Sequence, residues 1–184
     1  MAVRKTRRTA PQRRRTALRA VKMLVTDVDG VLTDGSIVIH ADGSESKVFN
    51  VRDGSGIKML ERSGIKTVIL SARECVAVEH RARGLRMTGC VTGALEKLPH
   101  FRKLVREAGL AESEVCYVGD DLPDLPPMRT AGFPVAVADA VDEVKAAAAY
   151  VTKARGGKGA VREVAEMILR AQDTWDQVMS RYTA

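Results

Sequence analysis

Short apolar runs alternate with amphipathic stretches along this chain. The run Val21-Lys22-Met23-Leu24-Val25-Thr26-Asp27 is rich in Val and Leu and bounded by turn residues, the pattern of a buried strand. Similar runs recur at 65–70, 87–91, 115–118, 135–137 and 150–152. Between them lie segments with helical patterning: 57–63, stopped by Gly64; 74–83, stopped by Gly84; and a helix from about 98 to 108, where Pro99 is tolerable only in the first turn and Gly109 ends it. Further helices are expected around Met128, over 141–149, and from about 160 to 179. This strand–helix alternation predicts an α/β fold, a Rossmann-like parallel sheet with helices on both faces. One feature interrupts it. Two β-prone runs, 36–40 and 45–51, flank Asp42-Gly43, a strong hairpin signal. The hairpin is therefore read as a small insertion after the first strand.

Length and charge narrow the picture. At 184 residues, one domain with ample core is the default. The formal charge is +7, but residues 1–20 hold eight cations and no acid, which leaves −1 for everything after them. The basicity belongs to an arm, read as a disordered tail over 1–20. The domain is placed at 21–175, with a short C-terminal tail at 176–184. The arm could touch nucleic acid or another anionic surface without specificity. It also shares the acid-free, Arg-rich character of organellar transit peptides. Cys75, Cys90 and Cys116 show no metal-binding spacing and suit reduced thiols in a cytoplasmic protein. No apolar run reaches the roughly 18 residues of a membrane span.

Candidate chemistry collects at strand ends. Asp27 and Asp29 follow the first strand, Ser71 and Arg73 the second, and Asp120, Asp121 and Asp124 follow 115–118, while Lys97 stands near a helix start. In a parallel sheet these ends share one edge, where ligands bind. Taken singly, each has a plainer reading: Ser71 as a helix cap, Lys97 as a surface lysine, Asp120 and Asp121 as a helix-start pair. Together they make a set of hard oxygen ligands suited to Mg²⁺ beside a hydroxyl and two cations, which is what a phosphate needs.

The order Asp27-Val28-Asp29-Gly30, Ser71, Lys97 and Gly119-Asp120-Asp121-Leu122-Pro123-Asp124 resembles the haloacid dehalogenase superfamily of phosphatases, over residues 21 to about 170. More closely, Phe49-Asn50-Val51-Arg52-Asp53-Gly54, Ser71-Ala72-Arg73 and the stretch from Gly156 to Glu163 are similar to the 3-deoxy-D-manno-octulosonate 8-phosphate phosphatases of lipopolysaccharide synthesis. The resemblance implies that Asp27 attacks phosphorus, and that Asp29 protonates the leaving sugar oxygen and then activates water. For that Asp29 must carry a proton near neutral pH, while Asp27 must be ionised. It implies Mg²⁺ on the side chains of Asp27 and Asp120 and the backbone carbonyl of Asp29. Ser71 and Lys97 would hold phosphate oxygens, with Asp121 and Asp124 in support. Substrate contacts are implied for Asp29, Asn50, Val51, Arg52, Asp53, Gly54, Lys58, Arg73, Arg81 and Lys97, with Arg73 on the substrate carboxylate.

Two departures lie near the sugar pocket: Ala72 where Gly is usual and Ser55 where an aromatic is common. The resemblance further implies no large cap domain. It implies a homotetramer joined through the hairpins, with a neighbour and the glycine-rich segment 155–159 closing the pocket. The alternatives are a phosphatase of a nine-carbon sugar acid phosphate or another small phosphate, and a non-catalytic nucleic-acid-binding or scaffold protein working through the arm.

Overall fold

The computed structural model describes residues 9–183. In chain order the elements are α1 (Ala10–Ala20), β1 (Met23–Thr26), β2 (Val38–Ile39), β3 (Glu45–Ser46), α2 (Val51–Arg62), β4 (Lys66–Leu70), α3 (Val76–Leu85), β5 (Gly89–Val91), α4 (Lys97–Glu107), β6 (Val115–Gly119), α5 (Leu125–Thr130), β7 (Phe133–Ala136), α6 (Asp142–Ala147), β8 (Tyr150–Val151), α7 (Ala160–Ala171) and α8 (Trp175–Thr183). Six strands form one sheet in the order β5-β4-β1-β6-β7-β8, every pair parallel. β1 is central. Leu24 and Val25 are fully buried, as a strand covered on both faces requires.

Right-handed crossovers fix which helices share a face. The chain steps outward from β1 through β4 to β5 by α2 and α3, then returns past β1 and steps the other way through β6, β7 and β8 by α4, α5 and α6. Accordingly α5 packs against both α4 and α6, and α2 packs against α7. The strand order reverses at β1, so the crevice at its carboxyl end is where a site belongs. Thr26 is level with Ile69 of β4 and Val118 of β6. The next residues, Asp27, Leu70–Ser71 and Gly119–Asp120, thus emerge side by side.

The insertion after β1 is a hairpin of two-residue strands turning at Asp42-Gly43, with Gly43 at φ 81°. It pairs with no strand of the main sheet. The stretch 48–51, read as strand, is not one. Asn50 caps α2, its side-chain oxygen accepting from Arg52 N at 2.8 Å, and the helix runs straight through Gly54-Ser55-Gly56. These glycines permit close approach rather than a turn: a Cβ on Gly56 would press on the Arg162 backbone and Ala165 of α7, and one on Gly54 on the Arg81 guanidinium.

The ends also differ from the sequence reading. Residues 1–8 of the expected tail lie outside the described residues, but from Ala10 onward it is helix α1. Leu18 is buried in the core, and Gln172 Nε2 donates to Leu18 O (3.2 Å) and Val21 O (2.7 Å), tying the end of the helix to the domain. Arg15 and Arg19 pair with Asp173. That residue sits at φ 58° and breaks the expected 160–179 helix into α7 and α8. The segment 176–184, expected as a tail, is therefore largely helix α8, which buries Val178.

Candidate active site

Asp27 leaves β1 with its amide donating to Val118 O at 3.1 Å, and the chain then coils tightly: the amides of Val31, Leu32 and Thr33 all donate to Val28 O. Gly30 makes this coil feasible. Its φ is 83°, and a Cβ there would collide with the Asp120 carboxylate. The glycine-rich segment backs the coil from behind. Gly157 N donates to Val31 O at 2.8 Å, and a Cβ on Gly156 would strike Gly30 O. This segment lies against the Asp27 loop of the same chain, braced by Asn50 Nδ2 donating to Gly157 O at 3.2 Å.

One buried ammonium organises the charges. Lys97 Nζ lies 2.8 Å from Asp27 Oδ2 and 2.7 Å from Asp124 Oδ1. Asp124 is fully buried and both its oxygens are engaged: Oδ1 also accepts from Tyr117 Oη at 2.8 Å, and Oδ2 accepts from Asp120 N at 2.9 Å. Asp120 Oδ1, by contrast, is buried without a hydrogen-bond partner. Carboxylate oxygens of Asp27, Asp120 and Asp124 fall within 4.8 Å of one another.

Three carboxylates share one nearby ammonium, and the titration follows from that shortage. Burial, then repulsion from Asp124, pushes Asp27 up to about 7 against the pull of Lys97. Burial, then Asp124 and Asp27, pushes Asp120 up to about 8. For Lys97 burial works against the charge, but Asp27 and Asp124 outweigh it and hold its pKa above the ordinary lysine value. At neutral pH the chain alone therefore holds Asp27 only partly ionised, short of the ionised carboxylate that the resemblance implies. A further positive charge would complete the ionisation. The donor set is all oxygen, and Asp120 Oδ1 lacks any partner, so the residues present fit a hard divalent cation held by Asp27 and Asp120. Asp124, with both oxygens occupied, is placed to orient Lys97 and the 119–121 turn.

Asp29 stands on the other side of the coil among different partners. Lys47 Nζ, its side chain wholly buried, donates to Asp29 Oδ1 at 2.5 Å and lies 2.7 Å from Glu45 Oε1. Burial opposes the charge on Lys47, but its bonds to Asp29 and Glu45 hold its pKa above the usual value. Arg73 places Nη2 2.7 Å from Glu45 Oε2 and Nε 3.8 Å from Asp29 Oδ2. That Asp29 oxygen is buried with no hydrogen-bond partner. Ser71 is buried at the end of β4, its Oγ accepting from Arg73 N at 3.3 Å.

Asp27, Asp29, Ser71, Arg73, Lys97 and Asp120 are thus brought to one edge. Other expected substrate contacts are not aimed there. Asp53 is buried, and its carboxylate accepts from Gly159 N (3.1 Å) and Arg162 N (2.9 Å), capping α7 from a neighbouring helix. Arg81 donates to Asn50 O at 3.2 Å and lies over the Phe49 ring, covering Gly54. Val51 and Arg52 point to solvent. Lys58 lines a separate open groove of about 460 Å³ with Arg62 and Arg86. Lys47, Glu45 and Tyr117 were missed. The signal for the first two was present, since Glu45 and Lys47 stand two apart in a β-prone run and so share a face.

Known proteins share this architecture. The haloacid dehalogenase-like hydrolase family profile matches residues 91–164. The 3-deoxy-D-manno-octulosonate 8-phosphate phosphatase of Escherichia coli K12 is 44% identical over 157 residues, covering 85% of this chain and 84% of its own. A probable phosphatase of the YrbI family from Pseudomonas syringae superposes with a TM-score of 0.92 at 45% identity, covering 94% of this chain and 98% of its own. The octulosonate 8-phosphate phosphatase of Moraxella catarrhalis, crystallised with magnesium, phosphate and the sugar acid, superposes with a TM-score of 0.90 at 37% identity, covering 92% and 97%. Among the described residues, no helix is long and apolar enough to cross a membrane.

Proposed function

The chain belongs to the 3-deoxy-D-manno-octulosonate 8-phosphate phosphatases among the haloacid dehalogenase-like hydrolases, and from that premise we propose that it hydrolyses this sugar acid phosphate with Mg²⁺, through an aspartyl-phosphate on Asp27. The observation that carries the reading is the shared ammonium of Lys97, set between Asp27 and Asp124 beside an unpartnered Asp120 oxygen. Asp27, Asp120 and the Asp29 backbone carbonyl would hold the Mg²⁺. When bound, the metal supplies the positive charge that keeps Asp27 ionised and draws electron density from the phosphate oxygens.

The protein groups then divide the work. Lys97 and Ser71 hold phosphate oxygens. An Asp27 carboxylate oxygen attacks phosphorus as the bond to the sugar oxygen breaks, and that oxygen takes a proton from Asp29. Water next attacks the phosphorus and gives its proton to the Asp29 carboxylate, releasing phosphate and restoring Asp27. Lys47 occupies Asp29 Oδ1, so Oδ2, buried and without a hydrogen bond although Arg73 Nε lies 3.8 Å away, is the oxygen for this proton traffic. Asp121 and Asp124 support the loop. Arg73 is the group for the substrate carboxylate, and its half-exposed side chain suits that role.

We further propose a homotetramer in the cytoplasm. Ile37, Val38, Ile39, Val48 and Val51 are exposed on and beside the hairpin, more apolar surface than a small insertion ordinarily leaves bare. The free thiols of Cys75, Cys90 and Cys116 suit a reducing compartment. The basic-arm reading as a nucleic-acid protein is weakened by Asp173, which pairs with Arg15 and Arg19.

A panel of the eight-carbon acid phosphate, a nine-carbon acid phosphate and a neutral sugar phosphate, compared by kcat/KM with Mg²⁺ and with chelator, tests the reading. The eight-carbon substrate is expected to lead by at least about tenfold, which is ~1.4 kcal/mol of discrimination. Equal rates on all three would contradict it.

A further inference from the structure

Asp124 is fully buried, and each of its four lone-pair sites has a donor. Oδ2 accepts from the amides of Asp120 (2.9 Å) and Asp121 (3.4 Å). Oδ1 accepts from Lys97 Nζ at 2.7 Å and from Tyr117 Oη at 2.8 Å. Nothing in the proposed reaction uses Tyr117. It is wholly buried on β6 and shares a sheet face with Gly119, two residues on. Gly119 is what lets Asp124 reach it, since a Cβ there would strike the Asp124 carboxyl. The Tyr117 ring meets Phe101 edge-on, with centroids 6.0 Å apart. Phe101 stands one turn beyond Lys97 on the same face of α4. One side chain thus touches both the helix that carries Lys97 and the carboxylate that holds it. We propose that Tyr117 is a positioning residue for phosphoryl transfer, whose hydroxyl fixes Asp124 so that Lys97 stays within reach of Asp27 and the phosphate.

Hydrogen-bond geometry gives the reason. An ammonium has three N–H groups; Asp27 and Asp124 take two and leave one for a phosphate oxygen. Where that third N–H points depends on where Nζ sits between the two carboxylates. With Tyr117 on one lone pair of Asp124 Oδ1, Lys97 is confined to the other. Without the hydroxyl both lone pairs are open to Lys97, and it can settle deeper on Asp124, away from Asp27 and from the phosphate. A small misplacement of a positioned group is costly in rate. The phenol is also a constant donor. Burial, then the charges of Asp124 and Asp27, hold its pKa well above the ordinary tyrosine value, so it keeps its proton while the enzyme works. The inference rests on the reading that Lys97 holds a phosphate oxygen.

Tyr117→Phe tests it, because Phe keeps the ring and its contact with Phe101 and removes only the hydroxyl. The readouts are kcat on octulosonate 8-phosphate with Mg²⁺ and the inhibition constants of the two products, inorganic phosphate and the free octulosonate. Loss of a hydrogen bond to a charged group predicts that kcat falls about tenfold and that the phosphate constant rises by a similar factor. The octulosonate constant should stay near wild type, because Lys97 holds phosphate and not the sugar. Ile168→Val, which removes a buried methylene from α7, is the control for stability alone: it should lower the melting temperature and leave kcat and both constants in place. An unchanged kcat or phosphate constant in Tyr117→Phe, an octulosonate constant raised as far, or an equal loss of kcat in Ile168→Val overturns the proposal. Wild-type enzyme that releases no phosphate, or that phosphate does not inhibit, would sink the phosphatase reading and this inference with it. A Tyr117→Phe enzyme that matches an active wild type would sink this inference alone.

Discussion

Lys97 is a single ammonium between two buried carboxylates, and removing it would leave Asp27 and Asp124 facing each other without compensation. Breaking a buried ion pair by deleting one partner costs about 3–5 kcal/mol. Lys97→Met is therefore expected to lose stability of that order in urea denaturation at pH 8, with the loss shrinking toward pH 5 as Asp27 takes up a proton. The same carboxylates set a pH dependence. Unfolded, Asp27 and Asp120 titrate near 3.8; folded, they titrate at about 7 and about 8. Between those values the folded chain holds protons that the unfolded chain has released, so without metal their contribution to stability is greatest below about pH 4 and is lost as pH rises to about 8. Mg²⁺ has to displace those protons. Its affinity should rise with pH through 7–8 and its binding should release protons, measured by calorimetry in two buffers of different ionisation heat. A pH-independent affinity would contradict this. Most of this cluster was legible in the sequence, because its carboxylates sit at strand ends or in the loop beyond and Lys97 stands at a helix start. The contact of Lys47 with Asp29 was not, because period-two patterning sets Glu45 and Lys47 on one face but does not say which loop that face of the insertion meets.

At the scale of elements, the parallel strands and their order around β1 follow from apolar runs and strand–helix alternation. Helix α2 did not. Asp53-Gly54-Ser55-Gly56 has the composition of a loop, yet it is the first turns of a helix. Gly in a helix interior costs about 1 kcal/mol, and that cost is offset here because α7 must come close. Gly56→Ala is expected to lose about 1–3 kcal/mol by thermal unfolding, since the added methyl meets the Arg162 backbone and Ala165 rather than open space. Gly84→Ala, with no atom within 4 Å of the new Cβ, is the control and should cost little or nothing. Asp53 explains why α7 starts where it does: its carboxylate caps that helix, so its two hydrogen bonds tie α2, α7 and the glycine-rich segment into one support for the Asp27 coil.

At the scale of the whole molecule, the arm is part of the domain from Ala10 onward. Charge alone read it as a tail. The buried Leu18 and the hydrogen bonds from Gln172 are tertiary features that composition hides. Removing residues 1–20 should lower the melting temperature by several degrees while turnover persists. Light scattering on the full chain should give a tetramer, and an active monomer would contradict the proposed assembly. Central to the proposed reaction is Asp27 as the group that accepts the phosphoryl. Quenching the enzyme during turnover of octulosonate 8-phosphate with Mg²⁺, reducing it with borohydride and sequencing the peptide around β1 tests this most directly. An acyl phosphate on Asp27 is reduced to homoserine at position 27, and that is the expected result, absent in Asp27→Asn. Intact Asp27 in wild-type enzyme, with phosphate still released by Asp27→Asn, would contradict the account.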